Sequence, residues 1–324
     1  MDRSLPAQVP RPPRPQWDEL PALVRRGIEQ AVGGSLTPVK SLGGGYGPGL
    51  ASLMERDDGH RFFLKAVSAG ITPEGPDIYR RERGILERLP RDAPISQLTA
   101  THTDGDWVAL VFEEIQGRNP DWSREGDLDL VLSAMSELAD SFTPSPVAAP
   151  IVTEVWDEEF AGFRALARQP EQWQSQVAGV YGQWAAEHLE QLAQHERDGR
   201  ELVQGTTLLH GDLRDDNILI AADDSVVFVD WPQACIGAAW FDLLLMLPSI
   251  ALKLGAQSAE RIVRTHTHTR DVEAQTINCA LAAVAGFFVE GSFQPAPIGL
   301  PTVRDFQRAQ GKVAVEWLQT RLEG

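Results

Sequence analysis

The apolar positions in the first third of the chain fall into short strand-like runs separated by turn residues, whereas those of the remainder recur at helical spacing. Trp17 to Val32 reads as a leading helix stopped by Gly33-Gly34. Ser35 to Leu42, Gly49 to Glu55 and Arg61 to Val67 read as a β-meander, the last two joined by Arg56-Asp57-Asp58-Gly59-His60. Gln97 to Thr103 and Trp107 to Phe112, around Thr103-Asp104-Gly105-Asp106, complete a five-stranded antiparallel sheet. Between them a helix of about Asp77 to Leu89 puts Ile78, Ile85 and Leu89 on one buried face. Leu128 to Phe142 is helical and stops at the Pro144, Pro146 and Pro150 linker. Trp156, Phe160 and Phe163, then Trp173, Val177, Val180, Tyr181, Trp184, Leu189 and Leu192, mark amphipathic helices whose aromatics are read first as core. Late in the chain Ile218 to Ala221 and Val226 to Val229 form a hairpin around Ala222-Asp223-Asp224-Ser225. Leu243 to Leu247 and Cys279 to Val289 read as apolar helices.

These elements predict an α+β protein. Residues 1–16 form a flexible Pro-rich tail, residues 17–115 a small antiparallel β lobe with one packed helix, and residues 116–324 a larger, mainly helical lobe. The Cys279 to Val289 run is shorter than the ~18 apolar residues that suggest a membrane span, so a buried helix is expected. The tail lacks the apolar stretch of a secretory signal. Cys235 and Cys279 are the chain's two cysteines, too few for a disulfide framework, and no C-x-x-C spacing suggests zinc or redox work. A cytoplasmic setting is expected. The net charge of -17 disfavours nucleic acid and anionic membrane as partners. Eighteen acidic and six basic residues lie between Glu113 and Glu201, an excess that would draw a cationic acceptor or serve as a solvated surface.

Several residues break the apolar pattern in ways that carry chemistry. Lys65 is the one charge inside the apolar FFLKAVS strand and needs an anionic partner. Glu82 falls on the buried face of the next helix, four residues from Ile78, and is the expected partner. The turn Leu42-Gly43-Gly44-Gly45-Tyr46-Gly47-Pro48-Gly49 is rich enough in glycine for backbone amides to approach an anion. It satisfies neither G-x-G-x-x-G nor a P-loop. Leu208 to Trp231 carries H-G-D-x-x-x-x-N followed after the hairpin by Asp230, and the expected hairpin register sets Asn217 opposite Asp230, with Asp212 five residues upstream of Asn217. Arg214 stands where an H-x-x-x-D acyltransferase pattern needs Asp, and neither G-x-S-x-G nor H-E-x-x-H occurs. His266 and His268 in HTHTRD are read as a solvated loop rather than a metal site.

The Leu208 to Trp231 segment resembles the catalytic segment of the aminoglycoside phosphotransferase family, which shares the protein-kinase-like fold. The resemblance extends from about Ser35 to Asp242 and is sharp at Asp212, Asn217 and Asp230. It implies a bilobal protein-kinase-like fold with Asp212 as catalytic base and Asn217 and Asp230 as Mg²⁺ ligands. Lys65, steadied by Glu82, would hold the phosphates of ATP or GTP, under cover of Gly43, Gly44, Gly45, Tyr46 and Gly47. Val111 to Gly117 resembles the segment joining kinase lobes, so that Phe112 would back the purine and the backbone of Glu113 and Ile115 would bond adenine. Asp242 would brace the catalytic loop or cap its own helix. Only eleven residues separate Asp230 from Asp242, which favours a small-molecule acceptor over a peptide. The expected activity is Mg²⁺-dependent transfer of a γ-phosphate to a hydroxyl of a small cationic, aminoglycoside-like molecule. An amino alcohol or sugar kinase, and a kinase-shaped binding protein without turnover, are the alternatives.

Overall fold

The computed structural model describes residues 14–42, 47–297 and 300–324. In chain order these form α1 (Ala22–Val32), β1 (Leu36–Ser41), β2 (Leu50–Arg56), β3 (Arg61–Val67), α2 (Gly75–Leu86), β4 (Leu98–Asp104), β5 (Trp107–Glu113) and β6 (Gly117–Arg118). Helices α3 (Asp127–Ser141), α4 (Val152–Val155), α5 (Gly162–Ala167), α6 (Pro170–Tyr181), α7 (Gln183–Glu187) and α8 (Leu189–Leu202) follow. Next come β7 (Thr207–Leu209), β8 (Ile218–Ala221), β9 (Val226–Phe228) and β10 (Cys235–Gly237). The chain closes with α9 (Phe241–Leu254), α10 (Ala256–Thr265), α11 (Ala274–Gly291) and α12 (Val303–Glu323). Among the described residues two compact units result: a sheet unit of residues 14–120 with Asp215–Ala234, and a helical unit of Asp121–Arg214 with Cys235–Gly324.

The sheet unit contains the five antiparallel strands expected, in the order β1-β2-β3-β5-β4. Alternation along β3 decides what each face carries. Phe62, Leu64 and Ala66 point into a core shared with Trp17, Leu20 and the α1 residues Val24, Ile28 and Val32, which recur every four positions. Lys65 therefore belongs to the opposite face, alongside α2, which packs on β3 and β5. The leading helix is shorter than its apolar spacing suggests. Trp17–Glu19 is a single 3₁₀ turn, Leu20 is extended, and α1 begins only after Pro21, because a residue preceding proline is driven out of the helical region. Conversely, α2 starts at Gly75, ahead of the expected Asp77, with Pro76 in the first turn, where its missing N–H costs nothing.

The late hairpin pairs β8 with β9, and β6 adds a third strand to them. Its register differs from the expected one. Ala221 N–H donates to Ser225 O (2.8 Å) and Asp224 N–H to Ala221 O (3.0 Å), with Asp224 in the left-handed region at φ 64°. This is a three-residue loop, not a four-residue one. The pairing shifts by one, and Asn217 lies opposite Val229, whose N–H donates to Asn217 O (3.0 Å). Asp230 stands one residue beyond.

In the helical unit, α11 packs against α5, α8 and α12. It runs eighteen residues, longer than the apolar stretch read from sequence, and is long and apolar enough to cross a membrane; 67% of it is buried, as in a core helix. Helix α8 supplies Glu196, wholly buried, whose carboxylate accepts the N–H groups of Phe163 (3.0 Å) and Arg164 (2.9 Å) in the first turn of α5. His266 and His268 are not a solvated loop. Both are half-buried against α3, His266 Nε2 lying 3.0 Å from Ser136 Oγ and His268 Nε2 3.4 Å from Asp140. Where α8 meets α11, a Cβ on Gly199 would lie 2.5 Å from Cys279 O. Gly199→Ala must push the two helices apart, and we expect a loss of about 1–3 kcal/mol, read as a lower midpoint of denaturant unfolding at unchanged slope.

Candidate active site

In the sheet unit, β3 delivers Lys65, α2 delivers Glu82 and the end of the late hairpin delivers Asp230. Lys65 Nζ lies 2.5 Å from Glu82 Oε2 and 2.7 Å from Asp230 Oδ1. The lysine and Glu82 are buried, whereas the Asp230 side chain is 48% exposed. Burial alone would lower the lysine's pKa, but the Asp230 and Glu82 carboxylates outweigh it and hold the ammonium above its ordinary range. Burial pushes Glu82 up to about 7 against the pull of Lys65. Asp230 has φ 69°, a left-handed conformation that Asp tolerates better than most residues. The buried Trp231 follows, its indole N–H donating to Phe228 O (3.1 Å) and its backbone N–H reaching Glu82 Oε1 (3.4 Å). One buried carboxylate thus ties both the lysine and the hairpin end.

The expected Lys65–Glu82 partnership is present, and it has two additions. The Lys65 ammonium sits 5.1 Å from the Tyr79 ring and 5.6 Å from the Phe112 ring, so two aromatic faces complete its surroundings. Burial pushes the Tyr79 hydroxyl up to about 12. Tyr79 precedes Glu82 by one helical turn, a spacing from which it could have been read. Asn119 carries no such signal. Its side-chain amide donates to the carbonyls of Ile218 (2.9 Å), Asp215 (3.1 Å) and Asp216 (3.4 Å), pinning the short 3₁₀ turn Asp215–Asn217 and with it the buried Asn217.

At the end of β5, Glu113 N–H donates to Gln97 O (3.3 Å), so its carbonyl, not its amide, is the group to consider for a base edge. Its side chain is held by His60 (2.7 Å) and Thr99 (3.1 Å). Ile115 N–H donates to no partner among the described residues. Gly43, Gly44, Gly45 and Tyr46 lie outside the described residues. Gly47 is described, and a Cβ there would meet nothing within 4 Å.

Asp212 belongs to the helical unit. There, β7 pairs with β10 and feeds the turn His210-Gly211-Asp212. Gly211 has φ 78°, which a side chain would resist, so the glycine of H-G-D is needed for the turn itself. Asp242, at the start of α9, accepts the N–H of His210 on Oδ2 (2.7 Å) and of Gly211 on Oδ1 (2.9 Å). It therefore braces the loop backbone. Burial pushes Asp242 up to about 6, opposed by those two donors. His210 is wholly buried and its Nδ1 accepts the Asp212 N–H (3.3 Å), an orienting role. Arg214 Nη1 donates to Asp212 Oδ1 (2.6 Å), a contact absent from the sequence reading although Arg214 lies only two residues on. Of the acidic excess after Glu113, Glu196 and Asp127 are buried in internal contacts, Asp127 accepting the Asp121 N–H (2.9 Å). They cannot serve an acceptor.

The profile of the phosphotransferase enzyme family, APH, matches residues 40–274. No curated protein matches the sequence. Among solved structures, a thermostable mutant of aminoglycoside phosphotransferase APH(4)-Ia in complex with ADP and hygromycin B superposes with TM-score 0.60 at 13% identity, covering 93% of this chain and 99% of that one. Choline kinase LicA from Streptococcus pneumoniae gives TM-score 0.60 at 14% identity, covering 92% and 98%. Spectinomycin phosphotransferase APH(9)-Ia, in complex with ADP and spectinomycin, gives TM-score 0.57 at 11% identity, covering 93% and 98%. At such identities these likenesses establish the protein-kinase-like fold. Because the family profile spans most of the chain, this protein belongs to the APH phosphotransferase family and is a small-molecule phosphotransferase.

Proposed function

We propose that this protein transfers the γ-phosphate of ATP to a hydroxyl of a small, cationic, aminoglycoside-like molecule. The observation that carries the reading is the buried Lys65 between Glu82 and Asp230 at 2.5 and 2.7 Å. Burying an ammonium is costly, and pairing it with one carboxylate would suffice for structure. A second, half-exposed carboxylate beside it is the arrangement expected where phosphate oxygens and a divalent ion share one lysine. Asp230 and Asn217 offer a carboxylate and an amide carbonyl, hard oxygen donors that suit Mg²⁺. The ion, when bound, would neutralise charge on the β- and γ-phosphates.

The chain's own residues divide the remaining work. Lys65 holds phosphate oxygens, and Glu82 keeps it aimed. Glu113 O accepts from and Ile115 N–H donates to the edge of the purine, and Phe112 backs it. Asp212 takes the proton of the acceptor hydroxyl as the bond to phosphorus forms; a positioned base contributes roughly 10²- to 10⁴-fold. Arg214 holds the Asp212 carboxylate in its orientation, and Asp242 keeps the backbone beneath it in place. The excess of acid after Glu113 supports a cationic acceptor, as do solved neighbours that carry hygromycin B or spectinomycin. The choline kinase among those neighbours favours an amino alcohol as the second reading. A panel of cationic antibiotics and amino alcohols, scored for ATP and for GTP consumption, separates the two.

Asp212→Ala is expected to lower turnover by at least ~10²-fold while nucleotide affinity stays near wild type, measured by coupled ADP release and by calorimetry. Wild-type turnover in this variant would remove the base from the mechanism. Asp230→Ala should abolish Mg²⁺-dependent nucleotide binding in the same calorimeter; Mg²⁺-dependent binding of unchanged strength would sink the metal assignment. Asp242→Asn replaces one acceptor by a donor facing a backbone N–H. We expect kcat to fall about 10²-fold with the nucleotide KM little changed, because a catalytic group displaced by ~1 Å costs about that much.

A further inference from the structure

A cluster apart from these residues joins α8 to α11. His195 and Asp198 are one turn apart on α8, and Gln275 and Cys279 one turn apart on α11, so each helix presents a pair of polar side chains on one face. Ligand atoms of His195, Asp198 and Cys279 all lie within 4.8 Å of one another. His195 Nδ1 is 3.6 Å from Cys279 Sγ, and the Gln275 side-chain amide is 3.3 Å from each of them. We propose that His195, Asp198 and Cys279, with Gln275 or a water as fourth donor, form a tetrahedral site for a borderline-soft divalent transition metal of the zinc class.

The separations support this choice. Zinc bonds of about 2.3 Å to sulfur and about 2.05 Å to nitrogen place those donors ~3.6 Å apart at a tetrahedral angle. The observed Nδ1 to Sγ distance is 3.6 Å. An oxygen ligand at about 2.1 Å would lie ~3.4 Å from the nitrogen and ~3.6 Å from the sulfur. The Gln275 amide stands within a few tenths of an ångström of that position, and half a turn about its last bond presents oxygen in place of nitrogen. Asp198 is exposed and accepts the Gln194 side-chain amide (2.7 Å), so a rotamer change that releases Gln194 brings its carboxylate to the other donors, and its exposure leaves the site open to solvent for metal entry.

Charge and donor type agree. A dication with one thiolate and one carboxylate is neutral, so little charge is stranded beside the apolar face of α11. Thiolate and imidazole select zinc-class metals over Mg²⁺. Burial keeps His195 below its ordinary pKa, which leaves it neutral with a lone pair to offer, and raises Cys279, so the thiol gives up one proton to solvent as the metal–sulfur bond forms. The close approach of Gly199 to Cys279 O fixes the helix spacing that brings the donors together. Neither ligand pair forms a C-x-x-C or H-x-x-x-H pattern, so linear motifs pass over the site.

The test uses the full-length protein, stripped with a chelator and titrated with Co²⁺ alone, without nucleotide. Expected are one equivalent bound, a thiolate-to-cobalt charge-transfer band with the d–d bands of four-coordinate cobalt, and loss of both on adding Zn²⁺. Cys279→Ser should abolish the charge-transfer band, and His195→Gln should weaken binding by more than the ~10- to 100-fold typical of losing an outer-shell partner. Asp230→Ala should leave both signals unchanged, which separates this site from the nucleotide's. Far-UV circular dichroism of the metal-free variants reports folding, and His195→Gln, at a half-buried position, carries the test if Cys279→Ser does not fold. Absence of the band at saturating Co²⁺, its survival in folded Cys279→Ser, or unchanged affinity in His195→Gln would overturn the proposal and leave a hydrogen-bonded Gln275–His195–Cys279 contact.

Discussion

A buried lysine cannot be left alone, and in the sheet unit that constraint organises everything near the site. Lys65 is placed on the face opposite the α1 core by strand alternation, so its ammonium must be met from α2 and from the late hairpin. Glu82 meets it from one side and reaches the Trp231 backbone from the other, while Asp230 takes a left-handed turn to complete the pair. Breaking such a buried pair by removing one partner typically costs about 3–5 kcal/mol. The hairpin end, α2 and β3 are thereby held in one arrangement, and the phosphate-holding role proposed for Lys65 follows from the same contacts that keep it folded.

The helical unit uses buried carboxylates for a related purpose. Asp242 accepts two successive backbone N–H groups and so fixes the turn that carries Asp212, and Glu196 does the same for the first turn of α5. In each case a carboxylate from a well-packed helix satisfies donors that a loop or a helix start would otherwise leave open. The turn that carries Asp212 thus borrows its rigidity from α9, nine of whose fourteen residues are buried. The base role proposed for Asp212 would rest on a loop whose support comes from a helix.

The legible part of the site was the part that broke local patterns. Lys65 in an apolar strand and Glu82 on an apolar helix face announced themselves, because burying either without the other is unfavourable. Tyr79 was one turn from Glu82 and readable by the same reasoning. Asn119 and Arg214 were not, since polar residues in loops obey no periodicity and their partners are set by where the backbone turns. The hairpin register differs by one residue from the one its composition suggests. Its turn composition fits a three- or a four-residue loop, and only the left-handed Asp224 distinguishes them.

What the amino-acid order determined by itself is the class of the fold, the identity and sequence of the sheet strands, and which charged side chains had to find partners, because periodicity and the cost of burying charge are local properties. What tertiary structure decided is which distant groups met. The pairing of Asn217 with Val229, the bracing of Gly211 by Asp242, and the approach of His195 to Cys279 across eighty-four positions all depend on backbone turns and helix crossings. Those depend on packing at glycines and buried side chains summed over the chain, and no short window of sequence contains that sum.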